Sequence, residues 1–165
     1  YGSATVEASD SATVRAGKYV AIHLHSQRVT LHGGVLIDMT QLDRSDPTTW
    51  CDLMGVEVDD EGQAHLYKAV DDDLYAGHSH VKTQFPIGGD PQCDRWRDDN
   101  DCGGGLHACP TPGMAKDHYR QATRFLEVTA PLDSIRPIDN TKAKASTLHI
   151  LREVDLMGRA VEVAN

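Results

Sequence analysis

Two short stretches near the start of the chain are nearly identical. Residues 3 to 8 read SATVEA and residues 11 to 16 read SATVRA, a period of eight. Few architectures accept so short a period. Within the first unit Ala4, Val6 and Ala8 share one face and Thr5 and Glu7 the other, and the second unit keeps the phase with Ala12, Val14 and Ala16. That alternation belongs to an extended strand. The phase runs on into Val20, Ile22 and Leu24, with Ala21, His23 and His25 on the outer face.

Small inward residues at a fixed short period predict a thin β-solenoid, with Ser9, Asp10 and Gly17 at its tight corners. Glu7 and Arg15 hold equivalent positions with opposite charge, so they are expected to pair between rungs, at roughly 0–1 kcal/mol for an exposed pair. The competing reading is two ordinary strands of a sandwich. Two units cannot bury a core where repeat arrays need about three. Either upstream repeats of a longer protein or strands of other chains are expected to complete it. After the second unit the repeat dissolves. Arg28 to Met39 is still strand-like, with Gly33-Gly34 as a turn or bulge. The expected division is a β-solenoid repeat end over 1–40 and a small α+β domain over 41–165.

The chain has 165 residues, 39% of them apolar, and a net charge of −9. That length suits one cored domain with an appendage. The negative charge argues against nucleic acid or anionic lipid as partners. There is no run of apolar residues long enough for a membrane helix and no visible signal peptide.

In the second part, Asp43 to Thr49 reads as a turn-rich joint. Leu53–Asp59 and Ala64–Val70 read as paired strands around Asp60-Glu61-Gly62. Asp71 to Asp73 reads as a solvated turn. Residues 76–105 carry little periodicity, and so long an irregular stretch is usually functional or pinned by something. Thr111-Pro112 opens a helix expected to run to about Ala122, with Met114, Ala115, Tyr119 and Ala122 inward. Arg124–Ala130 reads as a strand ended by Pro131. A basic linker with Lys142 and Lys144 leads to a last strand near Leu148–Leu156. The fold class expected is therefore α+β, mostly antiparallel, behind a β-solenoid-like N-terminal segment.

Three of the four cysteines, Cys93, Cys102 and Cys109, lie close together beside His107 and away from Cys51. Cys93, Cys102, His107 and Cys109 make a Cys3His set spaced C-x8-C-x4-H-x-C, a donor set that suits zinc. On a strand, residues 107 and 109 project to one side. Against zinc, no pair has the two-residue spacing of common knuckles. The alternative has Cys109 as a small core residue, Cys102 in a turn and His107 hydrogen-bonded in the sheet. His78 and His80 form a second H-x-H pair able to replace a cysteine or simply to line a polar face. A cysteine nucleophile needs an oriented base, which adjacency to His107 does not supply. There is no G-x-S-x-G, no Walker loop and no GxGxxG that opens a helix.

The segments LYKAV (66–70), GLHACPTPGMAKDHY (105–119) and TRFLEV (123–128) resemble a small domain family of unknown function met in actinobacterial and phage proteins behind SATVRA-type repeats. More distantly, the order of these strands and the helix is similar to the ADP-ribosyltransferase superfamily. That resemblance implies His107 at the second motif and Glu127 or Glu153 at the third. Tyr67 and Lys68 stand where that superfamily carries His or Arg. The first resemblance implies a non-catalytic structural or interaction module, zinc-braced or not. It would belong to a phage particle or an actinobacterial surface and self-associate, or bind protein partners, through its repeat strands. The second implies an ADP-ribosyltransferase-like enzyme. The two differ in whether those side chains converge on one open pocket.

Overall fold

The structure, a computed structural model, describes residues 4–78 and 81–161. The chain divides into two compact units, Tyr1–Asp43 and Arg44–Asn165.

In the first unit every strand pairing is parallel. β1 (Thr5–Ala8), β3 (Ala21–Leu24) and β5 (Val35–Asp38) form one sheet in the order β1-β3-β5, and β2 (Thr13–Arg15) pairs with β4 (Thr30–His32) in another. Thr5 lies opposite Ala21 and Thr13 opposite Thr30. The eight-residue sequence units therefore alternate between two sheets, and a strand meets its neighbour only after two of them. The corners are tied in the same rhythm, Thr30 N donating to Ala12 O (2.9 Å) and Val35 N to Val20 O (2.8 Å). Gly33 and Gly34 turn the chain between β4 and β5 at φ of +81° and +84°. A Cβ on Gly33 would sit 2.3 Å from the Ala16 carbonyl oxygen, so only glycine fits there.

The expected Glu7–Arg15 pairing does not form. Arg15 is in register with His32 in the second sheet. Glu7 faces His23 in the first, accepting from His23 Nδ1 (2.8 Å) and bonding His25 Nε2. The spacing between rungs, which the eight-residue identity hides, is the reason. Ala8, Ile22 and Leu24 are buried, whereas Val35, Leu36 and Ile37 on β5 are 50%, 52% and 41% exposed.

In the second unit all pairings are antiparallel. One sheet has the order β13-β10-β6, from β6 (Gln63–Val70), β10 (Arg124–Pro131) and β13 (His149–Val154). A second has the order β11-β12-β9, from β9 (Leu106–Ala108), β11 (Arg136–Pro137) and β12 (Ala143–Ala145). Tyr67 and Cys109 exchange backbone hydrogen bonds and stitch the two sheets together. β7 (Tyr75–His78) and β8 (Val81–Gln84) make a hairpin. The core runs from Trp50 through Leu66, Val70, Phe85, Leu126 and Val128 to Ile135 and Ile150, all nearly inaccessible. The described residues are thus mostly β with two short α-helices. No helix among the described residues is long and apolar enough to cross a membrane.

Three local expectations change. Pro47–Met54 is a helix, α1, rather than a joint running into a strand. Asp46 caps it by accepting from Thr49 N (2.8 Å), Pro47 opens it and Gly55 closes it at φ 65°. Its anchor is Trp50, whose indole donates to Asp139 O (2.7 Å). The second helix, α2 (Pro112–His118), is capped by Thr111 as expected but stops before Ala122. The expected basic linker is the strand β12, and Lys144 in it is 1% exposed.

Candidate functional site

A cleft of about 530 Å³ opens in the second unit. β6 and β9 line one side, the β7–β8 hairpin and Phe85 another, α2 and Tyr119 a third, and the loop from Gln92 to Gly105 forms its rim.

Strand alternation places Lys68 on the same face of β6 as Leu66 and Val70, which are fully buried. A lysine therefore occupies an apolar-face position. Its Nζ donates to His107 O (2.7 Å) and lies 4.9 Å from the centre of the Phe85 ring. Loss of water pushes its pKa down to about 8. His107 comes from β9. Its Nε2 accepts from Gly103 N (3.3 Å). Burial first, then the charges of Lys68, Lys142, Lys144 and His118, push its pKa down to about 4, so the ring is neutral near pH 7. Burial pushes the Cys109 thiol up to about 11. Tyr119 follows α2, is 9% exposed, and its hydroxyl is buried without a hydrogen-bond partner among the described residues.

The glycine run takes its shape from Lys144. That side chain enters the loop from beneath and donates to Asp99 Oδ1 (2.5 Å), Asp101 O (2.8 Å) and Gly103 O (2.9 Å), with Trp96 covering it at 5.6 Å. Gly103 and Gly104 take positive φ, and a Cβ on Gly105 would press on the Lys144 stem at 2.9 Å. The run is a tight turn wrapped around a buried ammonium.

Cys93, Cys102, His107 and Cys109 all border this cleft. The fold brings them to one wall system but not into a ligand cluster. Among the described residues no three His, Cys, Asp or Glu side chains are grouped to hold a metal ion. All four cysteines are free thiols; Cys51 and Cys109 are buried, Cys93 is half-buried and Cys102 is exposed. His107 Nε2 accepts from Gly103 N, and burial raises the pKa of the Cys109 thiol. Of the second pair, His80 lies outside the described residues, as does the His78 side chain.

Glu127 and Glu153 do not join His107. Glu127 pairs in register with Tyr67, so it belongs to the face of the sheet opposite Lys68. It is 5% exposed and held by His65 Nδ1 (2.9 Å) and Arg152 Nε (2.7 Å), while His65 Nε2 reaches Asp59 (3.2 Å). Glu153 is engaged by the Arg124 guanidinium, its Nε at 2.9 Å. Neither carboxylate lines the cleft. The residues that sequence reasoning missed are Lys68 as a cleft cation, Lys144 as the loop's anchor and Tyr119 as a hydroxyl without a partner. A lysine at an inward position of LYKAV was the available signal for the first.

A family described as a domain of unknown function (DUF7666) matches residues 64–162, and the chain belongs to it. Searches of curated proteins and of solved structures each returned no match.

Proposed function

We propose that the chain is a non-catalytic structural and interaction module. It is the end of a β-solenoid whose strands associate with further copies of themselves, followed by a domain that such an assembly displays. A phage particle or an actinobacterial surface is the setting that the resemblance of the SATVEA–SATVRA repeat suggests. One observation carries the reading. The parallel strands expose Val35, Leu36 and Ile37 together on β5 and bury only Ala8, Ile22 and Leu24 among their described apolar residues. That is a small core for five strands, and β5 ends the sheet β1-β3-β5 with one edge unpaired among the described residues. A second copy presenting β1 to that edge repeats the pairing already made between β1 and β3.

Sedimentation of the full chain tests this. Association that rises with concentration, and that is abolished by Leu36→Lys with Ile37→Lys, is expected. A monomer at every concentration, with the amides of β3 protected from exchange, overturns it. The catalytic alternative draws no comparable support, because Glu127 and Glu153 are committed to ion pairs away from His107.

A further inference from the structure

We propose that the cleft of the second unit binds a small oxyanion, a carboxylate or phosphate head on an apolar body, with Lys68 as its charged partner and Tyr119 as a second donor. The inference is independent of the assembly proposed above and rests on other residues.

Two groups of the cleft keep donor capacity unused among the described residues. An ammonium has three protons to donate, and Lys68 Nζ places one on His107 O. The Tyr119 hydroxyl has no partner among the described residues. The acceptor nitrogen of His107 is already used by Gly103 N. Lys68 and Tyr119 thus hold protons still to be placed, and an oxyanion is the ligand group that accepts from both.

The field agrees. The charged and titratable groups that line the cleft around Lys68 are its neighbour Tyr67 on β6, His107 and Cys109 from the β9 side, His118 and Tyr119 from the α2 side, Lys142, and Cys93, Asp94, Arg95 and Cys102 from the rim loop. Asp94 is the only carboxylate in that lining, against three cations. The depressed pKa of His107 has Lys68, Lys142, Lys144 and His118 among its causes, so a positive potential converges on this point of a chain whose net charge is −9. A polyanion the size of a nucleic acid meets the whole negative molecule, whereas a small anion meets the cleft. The volume falls within the usual ~300–1,000 Å³ of small-molecule sites, and Phe85, Ala69 and Ala115 give it an apolar wall.

The proton on Lys68 supplies a signature. An anion that pairs with Lys68 favours its charged form, so affinity is constant below about pH 8 and falls about tenfold per unit above it. Titrate the full chain by calorimetry and amide NMR with inorganic phosphate, phenyl phosphate and benzoate; the three separate phosphate from carboxylate and show what the apolar body adds. Benzoate, whose charge is constant over the range, gives the pH profile.

Saturable binding of at least one of the three is expected, with amide shifts at Gly105 and His107. Lys68→Met should lose it at least tenfold and Lys68→Arg should keep it. Tyr119→Phe should weaken it several-fold without lowering the melting temperature of the free protein. No saturable binding by any of the three to folded protein overturns the proposal, as does binding that Lys68→Met leaves intact. If Lys68→Met does not fold, the wild-type profile decides, because affinity flat through pH 8 to 10 is equally fatal.

Discussion

The two units both cover strand surface, and they do it by different means. The second closes antiparallel strands over an internal core that runs from Trp50 to Val154, and buries even Lys144 beside it with partners. The first stacks parallel strands at a repeat spacing, shares an outer face of Glu7, His23 and His25, and leaves β5 bare. A core of side chains from many parts of the chain makes a domain self-sufficient. The first unit buries only Ala8, Ile22 and Leu24 among its described apolar residues, so its stability rests mainly on pairing between neighbouring strands.

Substitutions at fully buried positions in each unit test that contrast most strongly. Leu126→Ala, at the centre of β10, should cost about 2–5 kcal/mol and move the main urea transition read by Trp50 fluorescence. Ile22→Ala is equally buried but should leave that transition in place and weaken association instead. Coincident loss of both transitions in either variant would mean that the units are not energetically distinct.

Lys144→Ala should come next, at about 1–3 kcal/mol, because it strands Asp101 O and Gly103 O beneath the loop. Hydrogen exchange at Gly104 and Gly105 should speed up while that of β3 does not. Gly33→Ala should do the converse. Its methyl meets the Ala16 carbonyl in a left-handed turn, so about 1 kcal/mol or more falls on the first unit alone, read as exchange at Ile22.

A smaller effect should come from His65. Burial opposes its charge, but the hydrogen bonds to Glu127 and Asp59 outweigh burial and raise its pKa above the ordinary 6.5. The sign follows: its contribution is complete below 6.5 and is lost as pH rises through the folded value. Stability of the second unit should therefore decline gently above neutrality, and His65→Gln should flatten the slope. Smallest is the thiol chemistry. Cys102 should react with a disulfide reagent in the native protein, and Cys51 and Cys109, both pushed up to about 11, only on unfolding. Elemental analysis beside that count checks the zinc expectation directly; one zinc per chain with protected Cys93, Cys102 and Cys109 would revive it.

What was legible in the sequence is what nearest neighbours dictate. Alternation at period two located β1 to β3, β6 and β10, and Thr111-Pro112 located the start of α2. The same signature, Asp46-Pro47 with Gly55 beyond, was present for α1. Eight residues carry too little apolar periodicity to announce a helix; Trp50 docking against Asp139 supplies the rest.

By itself the sequence determined extended strands of small inward residues at one end and mostly antiparallel strands with a capped helix at the other, because inward and outward positions are set by the chain's own period. Only the tertiary structure decided which rungs meet, so that Glu7 finds His23 and not Arg15. It also turned Lys144 of an apparent linker into a buried anchor and set Lys68 and Glu127 on opposite faces of one sheet. Register and burial depend on partners tens of residues away, and a charge placed in a strand shows its role only once those partners surround it.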